Sequence, residues 1–228
     1  MIIGGLQKCT LVDFPERVAC IVFTQGCNLR CPFCHNPKLW SMECGSPIGE
    51  DIFFTFLESR KGLLDGAVIS GGEPTLHGDL GSFLGKIHDL GFATKLDTNG
   101  LLPDVLAKLL DDGLVDFVAM DLKHTFSSYG RACGVEVPVE AVEKSLKLLR
   151  ESTIDYELRT TVVPTIHSLD DVAALLPIVS GVPRFTLQAF APAAAADPKL
   201  RTQKPFTVEQ LESLREIFEP VVGKFTVR

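Results

Sequence analysis

The chain has 228 residues, 46% of them apolar, with 22 basic against 29 acidic side chains. That length supports one sizeable core, so a single domain over residues 1–228 is expected, and no apolar run is long enough to span a membrane. The net charge of −7 and the lack of a basic tract argue against nucleic acid as a direct partner.

In chain order, Met1–Lys8 has neither a basic n-region nor a secretory cleavage site, so a cytoplasmic protein with reduced thiols is expected. Gln7 to Glu16 reads as a hairpin or an irregular lead-in. Strands are expected at Val18–Phe23, Ala67–Ser70, Ala93–Asp97, Phe117–Asp121, Glu157–Val163 and Phe185–Phe190. They are short and β-branched, and several are continuous apolar runs, as in strands of a parallel sheet buried on both faces. Helical patterns fall between them at 51–61, 79–90, 102–112, 139–152, 168–180 and 207–219. Ser168-Leu169-Asp170-Asp171 and Thr207-Val208-Glu209-Gln210 supply N-terminal caps, the second a capping box. Gly91 and Gly113 follow helices where a left-handed cap is wanted. About six β–α units in a row predict an α/β fold, a partial, open parallel β/α barrel. A doubly wound open sheet would give the same pattern. Ala191–Pro205 reads as a long functional or mobile loop.

Polar motifs gather at the carboxyl ends of these strands, where parallel α/β folds place their active sites. The first strand leads into Cys27, Cys31 and Cys34, spaced C-x3-C-x2-C. Three thiolates are one short of a closed zinc site or a four-cysteine cubane cluster, so one metal position stays open for something that reacts. Zinc with His35 or Cys44 as fourth ligand is the plainer alternative. Against it, the C-x3-C arm is unusual for a zinc knuckle and no second C-x-x-C pair follows. After the second strand comes Gly71-Gly72-Glu73-Pro74, where two glycines let the backbone approach a ligand and Glu73 can meet an ammonium group. The third strand ends in Asp97-Thr98-Asn99-Gly100 and the fourth in Asp121-Leu122-Lys123. Asp97 and Asp121 would also suit helix N-caps, and Lys123 would suit solvent. The fifth strand carries Arg159 and the sixth Gln188. His77, His88, His124 and His167 show no metal spacing and read as surface or core, and Cys9, Cys20 and Cys133 read as bystanders.

At these residues the chain resembles the radical S-adenosylmethionine enzymes, whose signature is C-x3-C-x2-C followed by G-G-E-P. Cys34-His35-Asn36, Leu96 to Gly100 and Asp121-Leu122-Lys123 are similar to motifs of the activating enzymes of glycyl-radical proteins. Leu11-Val12-Asp13-Phe14-Pro15 and Leu187-Gln188-Ala189-Phe190 are most similar to the branch that acts on anaerobic ribonucleoside-triphosphate reductase. The resemblance implies one 4Fe-4S cluster on Cys27, Cys31 and Cys34, its fourth iron binding the methionine moiety of S-adenosylmethionine. It places Phe33 and His35 on the adenosine side and Gly71, Gly72 and Glu73 at the methionyl amino group. Asp121, Leu122 and Lys123 would lie by the ribose and carboxylate. Asp97 and Thr98, next to Asn99, match positions that help hold a monovalent cation in the formate-lyase activases. The histidine those activases carry near the end of strand six is Phe190 here, so that contact is not carried over.

The implied reaction is reductive cleavage of S-adenosylmethionine, followed by removal of a hydrogen atom from a glycine Cα of a partner protein. A reduced flavodoxin- or ferredoxin-type protein would supply the electron. No general base is needed, in keeping with the lack of an acid/base pair. The rivals are an activase of the formate-lyase type, a small radical enzyme acting on a free metabolite, and a non-catalytic zinc-binding α/β protein.

Overall fold

The computed structural model describes residues 1–228. Its eight strands form one sheet in sequence order: β1 (Ile3–Thr10), β2 (Ala19–Thr24), β3 (Gly66–Gly71), β4 (Ala93–Thr98), β5 (Phe117–Asp121), β6 (Asp155–Val162), β7 (Arg184–Ala189) and β8 (Lys224–Val227). β1 and β2 run antiparallel as a hairpin, and every later pairing is parallel. The six expected strands are all present within two residues of their expected ends. β1 gives the lead-in its hairpin form, and β8 is a strand the sequence reading lacks.

The helices are α1 (Glu50–Glu58), α2 (Leu80–Asp89), α3 (Pro103–Asp111), α4 (Tyr129–Cys133), α5 (Val139–Glu151), α6 (Leu169–Ala173), α7 (Leu176–Val179), α8 (Val208–Glu212) and α9 (Arg215–Phe218). α2 shows why they form and where they pack. Leu80, Phe83, Leu84 and Ile87 fall at helical spacing, and all four are buried against the sheet. Each such side chain contributes roughly 2 kcal/mol on burial. The patterns expected at 168–180 and 207–219 are each broken into two short helices. Pro177 in the first turn of α7 cannot continue the hydrogen-bond ladder of α6. Both expected caps form, with Ser168 and Asp171, and Thr207 and Gln210, reciprocally bonded. Ala191–Pro205 holds two 3-10 turns and buries Ala195 and Leu200.

Strand alternation divides the side chains between two faces. Cys20, Val22, Ala67, Ile69, Val118 and Met120 join the large apolar layer beneath the helices. Their neighbours Ile21, Val68, Phe117 and Ala119 form a second, small apolar cluster with Phe14 and Ala19. On that same face β4 carries Lys95 and Asp97, β5 carries Asp121, and β6 carries Glu157 and Arg159. This face therefore sets a band of charged residues beside a small apolar cluster, unlike the apolar interior a closed barrel would have. The sheet stays open, with β1 and β8 as its edges. Arg228, just after β8, donates to the Val12 carbonyl in the β1–β2 loop at 3.5 Å and to Glu157 Oε2 on β6 at 3.3 Å.

Candidate active site

At the end of β2 the chain enters the cysteine loop, which is held from several sides. The Gly26 and Cys27 amides donate to the carbonyls of Leu39 (2.8 Å) and Trp40 (3.1 Å). Gln25 is buried and its amide group donates to the Lys38 and Glu43 carbonyls at 2.8 and 3.2 Å. The Arg30 amide donates to the Cys133 carbonyl at the end of α4 (2.9 Å), and the Asp197 amide donates to the Pro32 carbonyl (2.9 Å). Cys133 supports the loop through its backbone alone, and its thiol does not line the cavity. Cys31 is buried and Cys27 and Cys34 are half-buried. Burial pushes the Cys27 thiol up to about 11 and raises Cys31 as well. A metal bound here would have to supply the charge that keeps these sulfurs ionised. The three cysteines line one cavity, and no group of three or more His, Cys, Asp or Glu side chains converges on a single ion position. Three thiolates on one cavity would hold three irons of a cubane cluster and leave the fourth without a protein ligand.

Gly71 and Gly72 are required by a close chain crossing. Gly71 has φ +123°, and a Cβ at Gly72 would overlap the Gly26 carbonyl oxygen. The amides of Gly72 and Glu73 donate to the carbonyls of Thr24 (2.9 Å) and Gly26 (2.7 Å), stitching this turn to the start of the cysteine loop. Glu73 is buried. Its Oε1 accepts from the Thr75 hydroxyl (2.5 Å), the Thr75 amide (3.2 Å) and the Thr98 hydroxyl (2.8 Å), and its Oε2 accepts from the Asn99 amide (2.7 Å). Burial outweighs these donors and raises its carboxyl above the ordinary value. The Asn99 side chain also donates to Asn28 Oδ1 at 2.7 Å, tying the end of β4 to the cysteine loop.

Asp97 and Asp121 cap no helix; both are held by cations. Lys95 Nζ lies 2.5 Å from Asp97 Oδ1, and Arg159 Nη1 lies 3.3 Å from Asp97 Oδ2. Arg159 also reaches Asp121 Oδ1 at 3.1 Å, and Lys123 Nζ lies 2.8 Å from Asp121 Oδ2. Burial alone would push the Asp121 carboxyl up, but Lys123 and Arg159 outweigh it and hold it down at about 2. Lys123 is raised in turn because Asp121 outweighs its own desolvation. Lys123 lies 5.8 Å from the centre of the Phe33 ring, a cation–π distance. Behind it, the buried His167 donates through Nε2 to the Lys123 carbonyl at 2.8 Å, and burial lowers this imidazole to about 4. His124 stacks on it with ring centres 4.8 Å apart.

Together these groups surround one cavity enclosing about 760 Å³ of empty space, part of it open to solvent. Cys27, Cys31, Phe33, Cys34, His35, Gly71, Gly72, Glu73, Asp97, Thr98, Asn99, Asp121 and Lys123 all line it. Leu122 does not; it is buried in the apolar layer between its polar neighbours, as strand alternation dictates. Cys44 also stands off this wall. Leu29, Trp40, Ser70, Arg159 and Thr161 complete it and were not among the candidate site residues. Ser70 ends the second expected strand, and Arg159 lies within the fifth. Trp40 enters only because the loop folds back, with Arg30 5.5 Å from its ring centre.

The profile of the Radical SAM superfamily matches residues 21–176. The chain belongs to the radical SAM superfamily. Its cofactors are accordingly a 4Fe-4S cluster and S-adenosylmethionine. A Methanocaldococcus jannaschii protein, provisionally named a glycyl-radical enzyme activating enzyme, is 29% identical over 100% of this chain and 95% of its own length. The pyruvate formate-lyase-activating enzyme of Clostridium pasteurianum is 28% identical over 79% of this chain and 76% of its own. Among solved structures, Streptococcus suis SuiB bound to S-adenosylmethionine superposes with a TM-score of 0.69 at 18% identity, over 91% of this chain and 48% of SuiB. The radical SAM chain described here therefore spans about half of SuiB, and the likeness is one of fold. No helix of the structure is long and apolar enough to cross a membrane.

Proposed function

We propose that this radical SAM protein places a glycyl radical on a partner enzyme, with anaerobic ribonucleoside-triphosphate reductase the first partner to test. The observation that carries the chemistry is the meeting of three cysteines, the Gly-Gly-Glu turn and the two acidic strand ends in one cavity. In this reading Cys27, Cys31 and Cys34 hold three irons. Glu73 accepts the methionyl ammonium, Lys123 and Asp121 lie by the carboxylate and ribose, and Phe33 and His35 face the adenosine. When bound, cluster and S-adenosylmethionine supply an electron and a carbon-centred radical that takes a hydrogen atom from glycine. The chain orients these groups and excludes water, and no side chain moves a proton. A reduced flavodoxin or ferredoxin is the electron source, and the cytoplasm, where thiols stay reduced, is the compartment. Residues 1–228 act as one domain in this reading.

The full-length match to a protein named as a glycyl-radical enzyme activating enzyme supports the activase class. The lead-in Leu11–Pro15 and Leu187–Phe190 support the reductase as partner. A formate-lyase partner is the second reading, supported by the Clostridium pasteurianum enzyme. The test is to reconstitute the protein anaerobically, reduce it, add S-adenosylmethionine and each partner in turn, and record electron paramagnetic resonance spectra. A glycyl-radical doublet on the reductase is expected. A doublet on formate lyase alone selects the second reading, and 5′-deoxyadenosine with no doublet on either partner overturns the activase assignment.

A further inference from the structure

Lys95 lies on β4 two residues before Asp97, so both side chains leave the strand on the same face. It is fully buried and among the largest fully buried side chains in the protein. A buried ammonium is costly unless paired, and Lys95 is paired with Asp97 Oδ1 at 2.5 Å, with its nitrogen 5.7 Å from the Phe117 ring centre. Asp97 Oδ2 is held by Arg159, Arg159 also holds Asp121, and Asp121 holds Lys123. The result is a row of alternating charge, Lys95, Asp97, Arg159, Asp121, Lys123, of which all but Lys95 line the cavity. Glu157, the next carboxylate on this face, is engaged by Arg228 at 3.3 Å and the Thr186 hydroxyl at 3.2 Å. Both oxygens of Asp97 are thus met by side-chain cations, and the Thr98 hydroxyl is turned to Glu73. The five charges sum to one positive charge, which a ligand carboxylate at Lys123 would balance.

We propose that Lys95 is a positioning residue whose internal ammonium neutralises Asp97, so that no free monovalent cation is needed beside the ligand. The inference rests on the cavity being the S-adenosylmethionine site. Removing the ammonium would leave Asp97 Oδ1 desolvated and unpaired, a vacancy that a small cation from solution can fill.

The test is equilibrium binding of S-adenosylmethionine to the anaerobically reconstituted protein, at constant ionic strength, in potassium, sodium or tetramethylammonium chloride. Wild-type affinity is expected to be the same in all three. Lys95→Met should bind roughly tenfold more weakly in tetramethylammonium and recover in potassium or sodium. Wild-type affinity that falls in tetramethylammonium overturns the proposal, and that arm decides even if the variant does not fold. Binding by folded K95M that ignores the cation overturns it as well. Wild-type protein that binds no S-adenosylmethionine in any salt overturns the reading of the cavity and this inference with it.

Discussion

Of the three carboxylates in the cavity wall, Glu73 alone meets no cationic side chain; Asp97 and Asp121 each meet two. Its carboxyl is raised by burial, so the folded protein holds that proton more tightly than the unfolded chain does. The stability this contributes is present below the unfolded value of 4.5 and lost as pH rises through the folded value. A ligand ammonium at Glu73 offsets that loss, so the rise in melting temperature on adding S-adenosylmethionine should grow with pH across this interval. Glu73→Gln should flatten that dependence and weaken binding by about 10- to 100-fold, as read by calorimetry. His167 shifts the other way. With its folded value depressed to about 4 against 6.5 unfolded, its contribution is present above 6.5 and lost as pH falls toward 4. Wild-type protein should lose on the order of 3 kcal/mol across that window from this group, and His167→Gln should remove that part of the acid slope in denaturant titrations.

Short elements carry more of the site than their length suggests. α4 has five residues, yet its end supports the cysteine loop through the Cys133 carbonyl, and Gly134 follows at φ +68° directly against Arg30. A Cβ at Gly134 would overlap the Arg30 carbonyl oxygen. Gly134→Ala should cost about 2 kcal/mol and, by displacing the segment between Cys27 and Cys31, lower the iron bound per chain after reconstitution. Thr207→Ala removes a cap from α8, which contributes no residue to the cavity wall, and should cost about 1 kcal/mol with iron content unchanged. α4 was not legible in the sequence because Tyr129–Cys133 is barely more than one turn and includes a glycine, too short for its apolar spacing (Tyr129, Ala132, Cys133) to stand out. β8 was missed because Lys224–Val227 alternates polar and apolar residues over only four positions. By contrast, β3 could be read directly, since Ala67, Val68 and Ile69 are buried on both faces as a continuous apolar run implies. The cysteine, Gly-Gly-Glu and Asp-Thr-Asn-Gly motifs were legible because chemistry fixes their spacing. Lys95 was not, since a lysine in a strand reads as solvent-facing until its burial and its ion pair with Asp97 are known.

Across the whole molecule, Ala191–Pro205 is tied to the cysteine loop by the Asp197–Pro32 hydrogen bond. Replacing 193–203 with a short glycine linker should slow radical formation on the partner at least tenfold while reductive cleavage of S-adenosylmethionine persists, measured by doublet intensity against 5′-deoxyadenosine yield. The open sheet has a further consequence. A closed barrel has its girth set by strand number and stagger, and cannot widen without breaking a ladder of hydrogen bonds. Here β1 and β8 do not pair, and the β1–β2 loop meets the far end of the sheet through side chains, Arg228 to the Val12 carbonyl and Arg184 to Glu16. Parting them costs a few side-chain bonds and leaves every β-ladder intact. In the activase reading, that unpaired edge is where the sheet would yield to admit the glycine-bearing loop of the partner enzyme.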